Sequence, residues 1–242
     1  MRERPLRIAV VGGGPGGLYL ALLTKKARPD WQIDVHEQNG ADDTFGFGVV
    51  FSEETLEEFL SRDGPSFAMI RDALAYWDDI VIRYKGREMR CGGNGFAGCS
   101  RLALLQILQQ RCEEVGVAVD YHSPVDDLAA LGRYDVIVGA DGINSRIRET
   151  YKDYFKPSFE LKANKFAWLG STRPLDAFTF FFKQTEHGLI CAHTYQYEPG
   201  RSTWVMEMGP ATWAAFGFDR LDETQSARLL ETIFADELEG VE

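Results

Sequence analysis

Cysteines and basic residues are scarce in this 242-residue sequence, and both shortages exclude classes of protein. The four cysteines form no C-x-x-C pair and no metal-ligand spacing. We therefore expect free thiols in a reducing cytoplasm, no disulfide framework and no metal site. Lys and Arg number 26 against 37 Asp and Glu, which gives a net charge of -11. Such an acidic chain is poorly suited to binding nucleic acid or an anionic membrane surface.

Long apolar runs are missing as well. No segment approaches the roughly 20 consecutive apolar residues that span a bilayer. Three early arginines before an apolar stretch imitate a secretory signal, but the glycines that follow and the missing small-residue cleavage site argue against one. Hydrophobic residues make up 45% and charged residues 26%, which is ordinary for a globular domain. We expect a cytoplasmic globular protein with no membrane partner.

Glycine is concentrated in one short stretch, residues 12–17, between a predicted strand and a predicted helix. Its spacing is G-x-G-x-x-G, with the motif glycines at Gly12, Gly14 and Gly17. In this motif the first glycine makes a tight turn, the second lets the backbone approach a pyrophosphate, and the third lets helix and strand pack closely. A helix beginning near Pro15 would direct free N–H groups at the phosphates. The alternative is a chance glycine-rich turn.

An acidic residue ends the next predicted strand, residues 32–37. Glu37 follows Gly17 by 20 residues, the place where a carboxylate accepts hydrogen bonds from a ribose diol and repels a 2′-phosphate. The bound adenosine should therefore be unphosphorylated, as in FAD or NAD. The predicted nucleotide-binding residues in this part of the chain are Gly12, Gly14, Pro15, Gly16, Gly17, Glu37 and Gln38.

A long insertion separates this motif from the next convincing buried strand, residues 134–139. The insertion, about 45–98, contains helical patterns over 52–62 and 65–76 and a hairpin that turns at Lys85-Gly86. A helix is predicted over 100–115, and four aromatic-rich strands follow residue 165. The predicted fold is α/β: a Rossmann-like FAD-binding domain over 1–160 with the inserted hairpin, plus a smaller antiparallel β-sheet substrate lobe (α+β) over 161–242.

Two further positions are candidates for ligand contacts. Asp141 lies in a glycine turn after the buried strand, where ligands of open α/β sheets bind, although it is alternatively a turn-forming residue. Arg101 occupies the first position of the predicted 100–115 helix and could reach a phosphate or ribose; the alternative is a solvent-exposed helix start.

The glycine motif with Glu37, the Arg101 helix and the stretch from Gly139 to Arg148 together resemble the single-component FAD-dependent aromatic hydroxylases. Segments 46–52, 164–170 and 186–189 are most similar to members that act on salicyloyl-CoA and anthraniloyl-CoA. The resemblance implies a monooxygenase that hydroxylates an activated aromatic ring with O2, holds FAD, and uses NADH or NADPH as a transient reductant. It also implies a small aromatic substrate, with a CoA thioester as one form.

The resemblance also implies roles for individual residues. Gly46 and Gly48 would lie beside the isoalloxazine, Arg101 would contact the ribityl or phosphate region, and Asp141 would belong to a motif shared by FAD and the nicotinamide cofactor. Members of the family carry a later Gly-Asp segment that binds the ribityl chain, and none occurs before Glu242. The chain is therefore expected to correspond to the N-terminal part of such an enzyme.

A histidine in the second lobe is the candidate catalytic residue. His193 sits on a predicted inner strand among aromatic residues, and histidine titrates near neutral pH, so it could accept or orient a phenol proton. The alternative is a structural histidine. Two other functions stay open from the sequence: a flavoprotein reductase or dehydrogenase without oxygen insertion, and a flavin-free nucleotide-binding remnant.

Overall fold

The computed structural model describes residues 4–241. In chain order its strands are β1 (Arg7–Val11), β2 (Gln32–His36), β3 (Gly48–Ser52), β4 (Ala75–Trp77), β5 (Ile80–Tyr84), β6 (Arg87–Cys91), β7 (Phe96–Ser100), β8 (Ala118–Asp120), β9 (Val136–Gly139), β10 (Lys165–Ser171), β11 (Phe178–Thr185), β12 (Gly188–Glu198) and β13 (Arg201–Met208). The α-helices are α1 (Pro15–Ala27), α2 (Glu53–Arg62), α3 (Gly64–Asp72), α4 (Arg101–Val115), α5 (Arg146–Thr150), α6 (Lys152–Phe155), α7 (Pro210–Phe216), α8 (Glu223–Ile233) and α9 (Ala235–Leu238). Short 3-10 helices span Leu128–Leu131 and Phe218–Arg220.

The chain divides into two compact units, each built from three separate segments. The first unit contains residues up to 44, 58–72 and 102–160, and the second contains residues 45–57, 73–101 and 161–242. The sequence predicts two continuous domains, 1–160 and 161–242, whereas the segments of these two units alternate along the chain. The physical reason for the discontinuity is strand pairing, because β5 of the inserted hairpin pairs with β11 along its whole length.

The first unit is organised around a four-stranded parallel sheet in the order β8-β2-β1-β9. Strands β1 and β2 are each buried at four of five positions, and two of the buried residues of β2 are the polar Asp34 and His36. Helix α1 lies between these strands in the chain and buries one face, including Leu18 and Leu22. Because the strands are parallel, the carboxyl ends of β1, β2 and β9 meet at one edge.

The second unit contains a six-stranded sheet in the order β10-β13-β12-β11-β5-β6 and a three-stranded sheet in the order β3-β7-β4. Four strands of the larger sheet are antiparallel, as predicted, but β5 adds to β11 in parallel, so that the sheet is mixed. One face packs on the C-terminal helices around Phe181, Trp204, Leu230 and Phe234, all nearly fully buried. The opposite face carries aromatic side chains that are only partly covered.

The mixed α/β architecture with several sheets is confirmed. The predicted hairpin is present as β5 and β6, and the predicted 100–115 helix is present as α4. The segment predicted as helical over 65–76 ends earlier, because Ala75–Trp77 pairs with β7. Helix α7, which was not predicted, begins with Pro210 in its first turn and is capped at its C-terminus by Gly217, which has φ +77°. In the described part of the chain, no helix is long and apolar enough to cross a membrane.

Candidate functional site

The glycine turn lies at the carboxyl end of β1, where two of its motif glycines are required by the packing of the protein itself. Gly12 has φ +111°, and a Cβ there would lie 2.3 Å from the carbonyl oxygen of Ala140. A Cβ on Gly17 would lie 2.0 Å from the carbonyl oxygen of Gly12. Any larger side chain at either position would force the turn away from β9 or from α1.

Gly14 is different, since its packing does not require glycine. It is the N-cap of α1 with φ -69° and ψ 174°, a conformation open to any residue. A Cβ built on Gly14 meets no described atom within 4 Å. The same is true of Gly16, and Pro15 occupies the first turn of α1. The turn thus leaves open space beside the N-terminus of a 13-residue helix, whose first N–H groups have no partner within the helix.

Glu37 is joined directly to this turn. Its Oε2 accepts a hydrogen bond from Gly13 N at 2.6 Å, and its Oε1 accepts from both Asn39 N and Asn39 Nδ2 at 2.8 Å. These contacts fix the carboxylate at the end of β2, and each oxygen of a carboxylate has two acceptor positions. Oε2 therefore keeps a lone pair for a hydroxyl donor. The next residue, Gln38, is exposed in the bend that follows β2.

Asp141 lies after β9, at the same edge of the sheet. Its Oδ2 accepts from Arg146 N at 2.7 Å and from Ile147 N at 3.2 Å, so the carboxylate caps α5 together with the N-cap residue Ser145. Burial opposes ionisation, but hydrogen bonds from Ser145 and from these backbone groups outweigh it and lower the pKa of Asp141. Its other oxygen, Oδ1, is buried and has no hydrogen-bond partner among residues 4–241. That orphaned acceptor is available to a ligand donor or to water.

Three predicted site residues belong to the second unit. Gly46 has φ +88°, and a Cβ there would lie 2.5 Å from the Trp168 ring. A Cβ on Gly48 would lie 2.7 Å from the Tyr197 ring. Packing within the second unit therefore requires glycine at both positions. Arg101, half-buried, begins α4, and its backbone N donates to Phe47 O at 2.8 Å.

Further hydrogen bonds hold the glycine segment against the larger sheet. Gly48 N donates to Thr203 Oγ1 at 3.0 Å, and the Tyr195 hydroxyl donates to Gly48 O at 2.8 Å. Burial is the main reason why the pKa of Tyr195 is raised, so this phenol stays neutral and acts as a donor. Segment 46–48 is thereby fixed beside the partly covered aromatic face.

His193 lies on that aromatic face, at the middle of β12. Its ring makes an edge contact with Phe180, with 5.0 Å between the ring centroids, and Phe178 and Phe182 flank Phe180 on the same strand. Its Nε2 lies 3.3 Å from Glu207 Oε2 on β13. The imidazole side chain is 33% exposed, so a ligand on this face could reach it.

Two residues beside the candidate base were not predicted from the sequence. Glu207 Oε2 lies 3.3 Å from Nε2 of the histidine, and Asn164 Nδ2 donates a hydrogen bond to Glu207 Oε1 at 2.8 Å. The signal that could have found Glu207 is a carboxylate among apolar residues in the strand pattern Trp204 to Met208, but its partner depends on the strand register. Within residues 4–241, no group of three or more His, Cys, Asp or Glu side chains is arranged to hold a metal ion.

The sequence of this chain is similar to those of several known flavin-dependent enzymes. No family model matches the chain. Salicyloyl-CoA 5-hydroxylase from a Streptomyces species is 37% identical over 97% of this chain and 47% of its own length. A 3-hydroxy-4-methyl-anthranilyl-(aryl-carrier protein) 5-monooxygenase from Streptosporangium sibiricum is 32% identical over 84% of this chain and 57% of its own length. An FAD-dependent monooxygenase from Strobilurus tenacellus is 28% identical over 63% of this chain and 39% of its own length.

Solved structures give the same fold. The tetrameric form of 2-methyl-3-hydroxypyridine-5-carboxylic acid oxygenase superimposes with a TM-score of 0.76 at 16% identity, over 96% of this chain and 65% of that one. The p-nitrophenol 4-monooxygenase of Pseudomonas putida DLL-E4 gives 0.70 at 14% identity, over 95% and 62%. The chain spans about half the length of the curated relatives it matches. The resemblance predicted from the motifs is confirmed, because the curated relatives of this chain are salicyloyl-CoA 5-hydroxylase and related FAD-dependent monooxygenases.

Proposed function

We propose that this chain carries the nucleotide-binding part and the aromatic-substrate face of an FAD-dependent monooxygenase that hydroxylates an activated aromatic ring with NAD(P)H and O2. The observation that carries the proposal is the open space at Gly14. Gly12 and Gly17 are glycine because the protein packs against them, whereas a Cβ on Gly14 would meet no described atom within 4 Å and its backbone does not need a glycine conformation. Glycine at that position is explained by a ligand that approaches the backbone, as a pyrophosphate does in a Rossmann-type domain.

The residues at the sheet edge fit the groups of FAD. The N–H groups at the start of α1, with Pro15 and Gly16, would hold the pyrophosphate. Glu37 would accept a hydrogen bond from the adenosine ribose through the free lone pair of Oε2, and Gln38 lies next to it. The orphaned Oδ1 of Asp141 supplies one more acceptor in the same unit. When bound, FAD supplies the redox chemistry that lets NAD(P)H activate O2.

The roles of the other predicted residues are part of the same proposal. Arg101 would reach the ribityl or phosphate region, and Gly46 and Gly48 would present backbone to the isoalloxazine. Their packing on Trp168 and Tyr197 supports this, because it holds the glycine segment in one position. A fixed backbone wall is what a flat ring needs for close contact.

The substrate would lie on the aromatic face of the larger sheet. Aromatic side chains at alternating positions make a flat apolar surface, which suits an aromatic ring and keeps water from the reacting carbon. His193 is the one candidate base on this face that the sequence already indicated. The relatives named above for a CoA thioester and for a carrier-protein thioester support a thioester of an aromatic acid as the substrate class.

The test is to measure NAD(P)H oxidation and product formation together in the purified protein with bound flavin, using aromatic acid thioesters. The proposal predicts that consumption of NAD(P)H depends on the aromatic substrate and yields a ring-hydroxylated product. Substrate-dependent NAD(P)H oxidation without an oxygenated product would instead indicate a reductase or dehydrogenase. A purified protein that binds no flavin would indicate a nucleotide-binding remnant.

A further inference from the structure

The β5–β6 hairpin brings two exposed cations to the edge of the aromatic face of the second unit. Lys85 and Gly86 form its two-residue turn, and Arg87 begins β6 directly opposite Tyr84. The Lys85 ammonium lies 5.1 Å from the centroid of the Tyr84 ring. Within residues 4–241, no ion pair or hydrogen bond engages the side chain of Lys85 or of Arg87. Both cations are therefore available to an anionic ligand.

The other two arginines of the hairpin are neutralised by neighbouring carboxylates. Arg83 Nε lies 2.9 Å from Glu88 Oε2, and Arg90 Nη1 lies 2.6 Å from Asp79 Oδ2. Side chains alternate along a strand, so both arginines lie on the face of the hairpin opposite to Arg87. Among the described residues, the hairpin charge that lacks a carboxylate partner is thus confined to the turn and the aromatic face. It stands out in a chain whose net charge is -11.

The turn holds Lys85 in a backbone conformation that lysine rarely adopts. Its φ is +49° and that of Gly86 is +71°. This is the left-handed pair of a two-residue hairpin turn, which favours Asn, Asp or Gly at its first position. A lysine there costs conformational energy, and backbone strain of this kind is concentrated at sites that hold ligands. The strain supports a binding role for the Lys85 ammonium.

A cavity of about 340 Å³ lies beside this turn, and Lys85 and Arg87 line it. Asp236 and Glu237 of α9 also line the cavity, but both carboxylates lie close to Lys183 Nζ, at 3.4 Å and 2.9 Å. Lys183 balances one of these two negative charges. The two cations of the hairpin exceed the one that is left, so the cavity suits an anion.

An apolar strip, formed by Phe180, Phe182, Tyr84 and Met89, connects the middle of the aromatic face with these cations. Phe180 stacks with Phe182 at a centroid distance of 6.4 Å, and Phe182 meets the edge of Tyr84 at 6.5 Å. Tyr84 and Met89 are both exposed. Ideal strand spacings give roughly 12 Å from Phe180 to Arg87 along the strip. The strip therefore fits a ligand whose long uncharged arm joins an aromatic ring to an anionic group.

We propose that Lys85 and Arg87 bind a phosphate group on the pantetheine arm of a thioester substrate. The inference rests on the proposed function and deepens it, because it assigns the non-reacting end of the substrate to the hairpin. The aromatic acid would lie against Phe180, and the arm would follow the apolar strip. The phosphate would meet a guanidinium and an ammonium, the two side-chain cations that bind phosphate in proteins. The same phosphorylated arm occurs in coenzyme A and on carrier proteins.

The experiment titrates the purified protein with coenzyme A in a calorimeter, with excess FAD present so that the dinucleotide site is filled. Wild type should bind coenzyme A. Arg87→Gln and Lys85→Gln should each raise the dissociation constant about fivefold, the ratio for an exposed ion pair at the upper end of its range. Arg87→Lys keeps the charge and should retain most of the affinity. Added salt should weaken binding to wild type more than binding to Arg87→Gln, because salt screens the ion pair that the variant lacks.

Matched controls separate the phosphate contact from general effects. Arg201→Gln makes the same change at an exposed arginine beside the β12–β13 turn and should bind coenzyme A as wild type does. Pantetheine has the arm without a phosphate, so its affinity should be equal for wild type and Arg87→Gln. Equal affinity of coenzyme A for Arg87→Gln and Arg201→Gln would overturn the inference. No binding by wild type, or an equal loss for pantetheine, would overturn it as well.

A parallel titration with 4′-phosphopantetheine distinguishes the two sources of the arm. If Arg87→Gln weakens the binding of coenzyme A alone, the hairpin contacts the nucleotide phosphates, which only coenzyme A has. If both ligands lose affinity equally, the hairpin contacts the phosphate that coenzyme A shares with carrier proteins. Either result supports a phosphate site at the hairpin.

Failure of this inference and failure of the proposed function give different results. Calorimetry needs no turnover, so a protein that binds coenzyme A through Arg87 but shows no substrate-dependent oxidation of NAD(P)H supports the hairpin site and opposes the monooxygenase. A protein that hydroxylates its substrate, but in which Arg87→Gln and Arg201→Gln bind coenzyme A equally, opposes the hairpin site alone.

Discussion

The Glu37 carboxylate accepts a hydrogen bond from the backbone N–H of Gly13, with 2.6 Å between Oε2 and N. This contact ties the acidic end of β2 to the glycine turn after β1, two features that are 24 residues apart in the chain. One side chain therefore both shapes the turn and faces the space beside it.

Replacement of Glu37 by Gln should weaken FAD binding about tenfold, because a charge-assisted hydrogen bond to the ribose becomes a neutral one. The dissociation constant is measured by the quenching of flavin fluorescence on titration with protein. Glu113→Gln, at an exposed position of α4 in the same unit, is the matched control and should bind as wild type does. Equal dissociation constants for the two variants would show that Glu37 only supports the turn.

A buried carboxylate should govern the acid stability of the first unit. Asp63 is fully buried, accepts hydrogen bonds from Arg111 at 3.1 Å and 3.2 Å, and is also bonded to Lys26. Burial alone would raise its pKa, but the bonds from Arg111 and Lys26 outweigh burial and hold the pKa of Asp63 well below its usual range. Its contribution to stability is therefore present above about pH 4 and is lost as pH falls below that value.

Asp63→Asn should lower the free energy of unfolding by about 3 kcal/mol at pH 7, since two cations lose their buried partner. The difference from wild type should shrink at pH 3, because the wild-type Asp63 carboxylate contributes less to the free energy of unfolding at that pH. Urea denaturation at both pH values measures this. Asp72→Asn, at an exposed residue paired with Arg71, should change stability by less than about 0.5 kcal/mol. A pH-independent difference between Asp63→Asn and wild type would contradict the assignment.

The contact of Gly46 with Trp168 should make residue 46 intolerant of any side chain. Gly46→Ala combines a positive φ with a Cβ at 2.5 Å from the indole ring, and should cost about 2–3 kcal/mol. Gly86→Ala also has a positive φ, +71°, but its Cβ would meet no atom of the described chain within 4 Å, and the substitution should cost about 1 kcal/mol. The difference between the two denaturation midpoints isolates the packing on Trp168, and equal midpoints would argue against that contact.

The thiols should differ sharply in reactivity. Burial raises the pKa of Cys99 and of Cys112 to about 12, whereas Cys91 is exposed on β6. Since the thiolate is the reactive form, iodoacetamide at neutral pH should modify Cys91 in the folded chain and reach Cys99 and Cys112 only after unfolding. Mass spectrometry of partially alkylated protein checks the order. Comparable rates at all three positions would contradict the buried placement.

Local patterns in the sequence predicted a large part of the first unit. The glycine spacing and Glu37 lie within two adjacent elements, so a local pattern could predict them, although the contact of Gly12 with the distant Ala140 could not be predicted in this way. The sequence could not explain Gly46 and Gly48, because their contacts, Trp168 and Tyr197, lie more than 100 residues away. Glycines that a motif assigns to a cofactor can also be required by packing, and only the structure separates the two causes.

Relations between distant strands account for most of what the sequence did not predict. The parallel pairing of β5 with β11 joins residues about 98 positions apart, and no local pattern specifies it. Glu207 reaches His193 only because β12 and β13 pair in one register. A shift of one residue would move Glu207 to the helix-covered face. The candidate base was therefore predictable by residue type, whereas its carboxylate partner was not.

The most direct test of the nucleotide site compares Gly14→Val with Gly209→Val. Both glycines are helix N-caps that precede a proline, both have φ -69°, and neither Cβ would meet an atom of residues 4–241 within 4 Å. A pyrophosphate at the first turn predicts that Gly14→Val keeps the unfolding midpoint of Gly209→Val but weakens FAD binding at least about 100-fold relative to it. Equal FAD affinity in the two variants would contradict the central claim that residues 12–17 hold the dinucleotide.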